Sequence, residues 1–169
     1  IARTGFGSPL LRAGEGAIWR DARQHVAAEE LFQPGGLQLD LSAIAKGAAV
    51  DELAGLAAAS GISSLLAEIG GEFVGIGVKP DGLPWWVEIE PVAHSDAPWR
   101  IAACGLAVAT SGNGYAFRRK NAQRISHITP LVEDGGPQLR SVTVIHETCA
   151  DADAWATALF AGGSDGPAL

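Results

Sequence analysis

Two strand-like runs separated by only two glycines constrain this chain more than any other feature. Residues 63–69 (SSLLAEI) and 72–78 (EFVGIGV) flank Gly70-Gly71. A two-residue loop joins neighbouring antiparallel strands, and glycine readily takes the positive φ that such a turn requires. An antiparallel sheet built around this hairpin is the expectation. Residues 85–90 alternate apolar and polar side chains, as a strand with one wet face does. Residues 106–110, 124–128 and 141–145 read as further strands.

Two segments carry a helical period instead. Ser42 is placed to cap a helix over 43–60, with Ile44, Ala48, Leu53, Leu56 and Ala57 as its buried stripe and Gly61 at its end. Residues 37–41 (LQLDL) alternate as a short strand leading into it. A second helix is expected over 149–161, stopping at Gly162-Gly163. Residues 1–36, rich in glycine and polar residues, end in a Pro34-Gly35-Gly36 turn and carry no clear period. The expected organisation is a partial N-terminal segment over 1–36 and one domain over 37–169. Its fold class is α+β, with mixed or antiparallel sheets and packed helices.

Composition narrows the function. With 169 residues, 47% of them hydrophobic and 18% charged, the chain can bury a substantial core. No apolar run approaches the roughly 20 residues that span a bilayer, and no basic-then-apolar leader is visible. The chain opens on Ile1 and contains no Met, so an upstream segment is expected to be missing. Nineteen acidic against 12 basic residues give a net charge of −7, which argues against a nucleic-acid partner. A phosphate ligand would need a divalent cation to offset that repulsion. Cys104 and Cys149 form no metal-knuckle spacing and read as small buried hydrophobes.

Four segments can carry chemistry. Asp40-Leu41-Ser42-Ala43-Ile44-Ala45-Lys46-Gly47 runs from a strand into a helix, where unpaired amides attract anions and Lys46 can add positive charge. An ordinary junction, with Asp40 supporting the helix start and Lys46 in solvent, fits the same residues. Asp153 and Thr157 stand at i and i+4, so both project from one face of the last helix and offer hard oxygens suited to Mg²⁺. Thr148 and Asp151 make a capping box, which leaves Asp153 unexplained by capping and in need of a partner such as an arginine. Ala109-Thr110-Ser111-Gly112-Asn113-Gly114 lets backbone approach a ligand closely, or is a plain turn. His127, in Ser126-His127-Ile128, is the histidine best placed for chemistry, whereas His25 and His94 sit in polar surroundings and His146 follows a strand.

Together with Glu68-Ile69-Gly70-Gly71-Glu72, these segments resemble the ApbE family of FAD:protein FMN transferases. They occur in the family's order and extend through Tyr115 and through Cys149-Ala150-Asp151-Ala152-Asp153-Ala154-Trp155-Ala156-Thr157-Ala158-Leu159-Phe160. The resemblance covers about residues 37–163. It implies an ApbE-like, T-fold-like architecture that binds FAD and Mg²⁺. Asp40, Lys46 and Ile128 match positions that contact FAD. Gly70 and Gly71 match a close turn beside the flavin site, and Ser111 and Gly112 part of the pocket wall. The Ala43 carbonyl, Asp153 and Thr157 match Mg²⁺ ligands, and Ala156 stands where some members carry a further acid. His127 matches a residue implicated in the transfer.

The implied activity moves FMN from FAD to a Thr or Ser hydroxyl of a target flavoprotein and releases AMP. The alternatives are an FAD diphosphatase on the same fold, or an FAD-binding module without turnover. Family members are commonly exported and often lipoproteins in bacteria, but no signal of compartment or membrane association is visible here. Two departures stand out. Members are usually near twice this length, and Thr129-Pro130-Leu131-Val132 replaces the family's Asp-Pro-x-Thr-Gly turn, as if residues were missing there.

Overall fold

In the computed structural model, Gly70 and Gly71 take φ of 63° and 97° and turn the chain so that Ile69 pairs with Glu72. The structure describes residues 26–27, 30–31, 40–89, 97–113, 117–120, 123–128 and 139–163. In chain order the strands are β1 (Val26–Ala27), β2 (Glu30–Leu31), β3 (Leu65–Ile69), β4 (Glu72–Ile76), β5 (Trp86–Ile89), β6 (Trp99–Ala102), β7 (Leu106–Gly112), β8 (Phe117–Lys120), β9 (Gln123–Ser126) and β10 (Ser141–His146). The helices are α1 (Ala45–Ala59) and α2 (Cys149–Gly162). The α+β class holds, with every described strand pair antiparallel.

The central sheet runs β10-β7-β4-β3. Because side chains alternate across a strand, β4 sends Val74 and Ile76 to one face and Phe73 to the other. On the first face, Val74, Ala67, Ala107 and Ala109 pack against Val50 and Ala54 of α1 and Cys149, Ala152 and Ala156 of α2. The β5–β6 hairpin, paired from Trp86↔Ala102 to Ile89↔Trp99, supplies Val87 to the opposite face, where it meets Ala103, Val108, Leu66 and Phe73. The sheet is therefore buried on both faces. Among the described residues no helix is long and apolar enough to cross a membrane.

Helix α1 departs from the sequence expectation. It starts at Ala45, its N-cap is Ile44 without a side-chain cap, and Ser42 is not the capping residue. Its buried residues are Gly47, Val50 and Ala54, whereas Ile44, Leu53 and Leu56 are exposed. Ala48 is also exposed and Ala57 half-buried. The reason is the closeness of α2. A Cβ at Gly47 would lie 2.2 Å from the Cys149 carbonyl oxygen, so that point of the contact face admits only glycine, and Ile44, Leu53 and Leu56 face outward. The end is as expected. Gly61, at φ 85°, donates to the Ala58 carbonyl while Ile62 N–H reaches Ala57, a Schellman closure.

Other differences are smaller. Cys149 is buried but Cys104 is exposed. Asp40 and Leu41 lie outside any strand, and residues 37–39 lie outside the described set. The short β1–β2 ladder falls inside the segment that carries no clear period in the sequence, while the Pro34-Gly35-Gly36 turn is outside the described residues. β6 and β8 were not anticipated from the sequence.

Candidate active site at the α1–α2 crossing

The site begins where the strand-to-helix segment meets α2. Asp40 Oδ1 accepts the Ser42 N–H at 2.9 Å, an Asx turn that bends the chain toward α1. One helical turn on, Gly47 does not complete an ordinary helical bond to Ala43. Its N–H donates to Asp153 Oδ2 of α2 at 3.1 Å, so that amide does not occupy the Ala43 carbonyl. Asp153 is 2% exposed, deep among alanines, and among the described residues its partners are this amide and the Lys46 ammonium rather than an arginine.

Lys46 is the hub. Its ammonium bonds Glu72 Oε1 and stands 3.9 Å from Asp153 Oδ1. Its methylenes pass the Gly70 turn, where an added Cβ would lie 3.3 Å from Lys46 Cδ. Lys46 is therefore neither free in solvent nor fully enclosed, with a side chain 44% exposed. Glu72 is 1% exposed, and its second oxygen, Oε2, is buried without a hydrogen-bond partner. Burial pushes the Glu72 carboxyl above its ordinary range, while the Lys46 hydrogen bond and charge pull it back.

One turn beyond Asp153, Thr157 is buried on the same face of α2 and its Oγ1 lies 3.0 Å from Ser111 Oγ on β7. Ser111 thus sits beside the face of α2 that carries Asp153 and Thr157. Gly112 follows it at a close approach, since a Cβ there would meet the Arg140 carbonyl oxygen at 2.9 Å. Ile128 is 3% exposed and packs with Phe160 and Ala161 at the far end of α2. His127 is half-buried next to it. Gly71 donates its N–H to Glu68 Oε1 at 2.7 Å. Gly114, Tyr115 and residues 129–132, the end of one motif and the divergent turn, lie outside the described residues.

The oxygens at this crossing suit a hard cation. Asp153 offers Oδ1, Thr157 a hydroxyl and Ala43 a main-chain carbonyl, and among the described residues no thiolate or imidazole is brought to them. Among the described residues no three His, Cys, Asp or Glu side chains converge, so such a site leans on hydroxyl and carbonyl oxygens. The Cys149 thiol, pushed up to about 12 by burial, is unsuited to ligation or nucleophilic attack.

Sequence reasoning assigned Asp153, Thr157, Ser111, Lys46 and Gly70 to one site through the family resemblance, and in the structure Lys46 lies near Asp153 and Gly70, and Thr157 near Ser111. It missed Glu72 as a participant and Asp51 entirely. Asp51, one turn after Gly47 on α1, accepts the Cys149 N–H at 2.8 Å and the Ala150 N–H at 2.9 Å. The signals for Glu72 were its place in the Glu68–Glu72 motif and at the head of a strand whose alternate residues are apolar.

The model of the ApbE family matches residues 13–169. An FAD:protein FMN transferase of Klebsiella pneumoniae is 37% identical over 134 residues, 76% of this chain and 38% of that protein. One from Chlamydia trachomatis is 39% identical over 139 residues, 79% of this chain and 42% of that protein. The chain thus spans less than half the length of these curated relatives. The apo crystal structure of the Pseudomonas stutzeri flavinyl transferase ApbE superposes with a TM-score of 0.69 at 37% identity, covering 85% of this chain and 46% of that one. With the family model matched over residues 13–169 and its motifs in order, the chain belongs to the ApbE family.

Proposed function

We propose that this chain carries the FAD- and Mg²⁺-binding part of an enzyme that transfers FMN from FAD to a Thr or Ser hydroxyl of a target flavoprotein, releasing AMP. The observation that carries the reading is the buried Asp153. It is held at the start of α1 by the Gly47 amide, with Thr157 one turn further along α2 and Lys46 beside it. A carboxylate in so apolar a place costs stability unless it serves a ligand or a firm partner.

In this reading Asp153, Thr157 and the Ala43 carbonyl would hold Mg²⁺, whose positive charge would offset the negative charge of the FAD diphosphate. Lys46, half in solvent, faces the diphosphate with its positive charge. Asp40 and Ile128 contact FAD, Gly70 and Gly71 keep the turn beside the flavin low, and Ser111 and Gly112 wall the pocket. The acceptor hydroxyl oxygen forms a bond to the phosphorus of the FMN moiety. The bond from that phosphorus to the bridging oxygen breaks, and AMP leaves with that oxygen. His127 takes the proton released by the acceptor hydroxyl.

The test is incubation of the protein with FAD, Mg²⁺ and a flavoprotein domain carrying an acceptor threonine. Covalent flavin on that threonine, with AMP in solution, supports the proposal. FMN and AMP accumulating without acceptor would make the protein an FAD diphosphatase, and FAD bound but unchanged would make it a binding module.

A further inference from the structure

Lys46 stands between two buried acids and bonds only one of them. Its ammonium is hydrogen-bonded to Glu72, whereas Asp153 Oδ1 is 3.9 Å away, beyond hydrogen-bond length. The side chains of Glu72 and Asp153 are 2% and 3% exposed, so neither acid can follow the lysine into solvent. Asp153 Oδ2 already takes the Gly47 N–H. Oδ1 is the oxygen left for an incoming cation, and a flexible ammonium stands one short movement from it.

We propose that Glu72 is a positioning residue that diverts the Lys46 ammonium from Asp153 and so keeps Asp153 Oδ1 open to a divalent cation. This rests on reading Asp153 as a cation ligand. Three observations carry it. First, an ammonium this close to a carboxylate closes to direct contact when nothing else holds it, because charge-assisted hydrogen bonds are strong where water is scarce. Second, Glu72 is fixed from below, at the head of β4 beside the Gly70-Gly71 turn, while Gly70 leaves the lysine arm room to lie along that turn. Third, Glu72 Oε2 is buried without a partner. Leaving a carboxylate oxygen unsatisfied costs stability, and a pair serving structure alone would be satisfied at both oxygens.

The experiment is calorimetric titration of Mg²⁺ into the full chain without FAD, for wild type, Glu72→Gln, Lys46→Met and the double variant. Glu72→Gln keeps the volume and frees the ammonium, and its Mg²⁺ affinity is expected to fall about tenfold or more. In the double variant no ammonium remains to obstruct Asp153, and affinity is expected to return to within about threefold of wild type. A crystal structure of Glu72→Gln is expected to show Lys46 Nζ within hydrogen-bond distance of Asp153 Oδ1. Wild-type affinity in Glu72→Gln, or a double variant as weak as Glu72→Gln, overturns the proposal.

Should Glu72→Gln fail to fold, Lys46→Met decides alone. Affinity within about threefold of wild type supports a lysine already held aside, and a tenfold gain shows that Lys46 obstructs Asp153 despite Glu72. Wild-type protein that takes up no Mg²⁺ at millimolar concentration sinks the cation reading itself, which separates the two failures.

Discussion

Asp51 on α1 receives the first two amides of α2, and Asp153 on α2 receives an early amide of α1. Each helix thus supplies the carboxylate that satisfies the other's N-terminal N–H groups and complements its dipole. The two helices are adjacent in space although the residues that join them are 98 to 106 positions apart in sequence. Their crossing carries both the packing and the candidate chemistry, so most tests of one also touch the other.

Gly47→Ala is expected to be among the most damaging single changes. The added Cβ would sit 2.2 Å from Cys149 O and 2.8 Å from the Ala150 Cα, both main-chain atoms that cannot rotate away. Separating the helices should cost about 3 kcal/mol or more, read from urea denaturation. A loss well under about 1 kcal/mol would mean that the crossing yields more easily than its packing indicates.

The two devices that start α2 can be ranked. Thr148 accepts the Asp151 N–H and donates its hydroxyl to Asp151 Oδ2, so half of the expected capping box forms. The other half is replaced, because the Thr148 N–H goes to His146 Nδ1. Asp51→Ala strands two amides at once and is expected to cost about 2 kcal/mol, against about 1 kcal/mol for Thr148→Ala. Chemical denaturation of both variants checks the order, and a costlier Thr148→Ala would refute it.

These results mark where the sequence was informative. Turn chemistry was legible at Gly70-Gly71 and Gly61 because positive φ leaves glycine almost alone. The start of α2 was legible from Thr148, and Asp153 from the rule that a buried charge needs company. The buried face of α1 was not, since Gly47 and Ala54 carry little hydrophobic signal and Val50 alone is outweighed by Ile44, Leu53 and Leu56. Only the nearness of α2 makes small residues the inward ones. Glu72 was hidden for a related reason: its partner Lys46 is 26 residues away, and no local pattern reports such a pairing. Cys104 looked like a core residue by type but lies exposed in the bend before β7.

Glu72 makes stability depend on pH in a predictable direction. Burial raises its carboxyl above the ordinary 4.5, so the folded chain binds this proton more tightly than the unfolded chain. Its protonation therefore favours folding fully below pH 4.5, and that contribution is lost as pH climbs through the raised value. The stability of wild type minus that of Glu72→Gln is expected to be largest in acid and to decline toward neutral pH. Denaturation across this range checks it, and a difference that grows with pH contradicts it.

Asp153 has two duties that substitutions can separate. Asp153→Asn keeps an oxygen for the Gly47 N–H but loses the charge. It is expected to fold with near wild-type stability while Mg²⁺-dependent flavin transfer drops about a hundredfold or more. Asp153→Ala should lose the activity and also about 1–3 kcal/mol, for the stranded Gly47 amide. Circular dichroism and covalent-flavin fluorescence measured on both variants separate the two effects.

Because the crossing joins residues near 47 to residues near 150, it has a consequence for biosynthesis. A nascent chain presents Lys46 and Glu72 to the cell well before the ribosome has made Asp153. Until the last helix emerges and docks, Lys46 lacks one of its two carboxylates and Gly47 N–H its acceptor. Any product terminated ahead of Cys149 leaves Val50 and Ala54 without the α2 side chains that complete their cluster. Such a product is a natural target for quality-control proteases, and it lacks the acid on which the proposed chemistry depends.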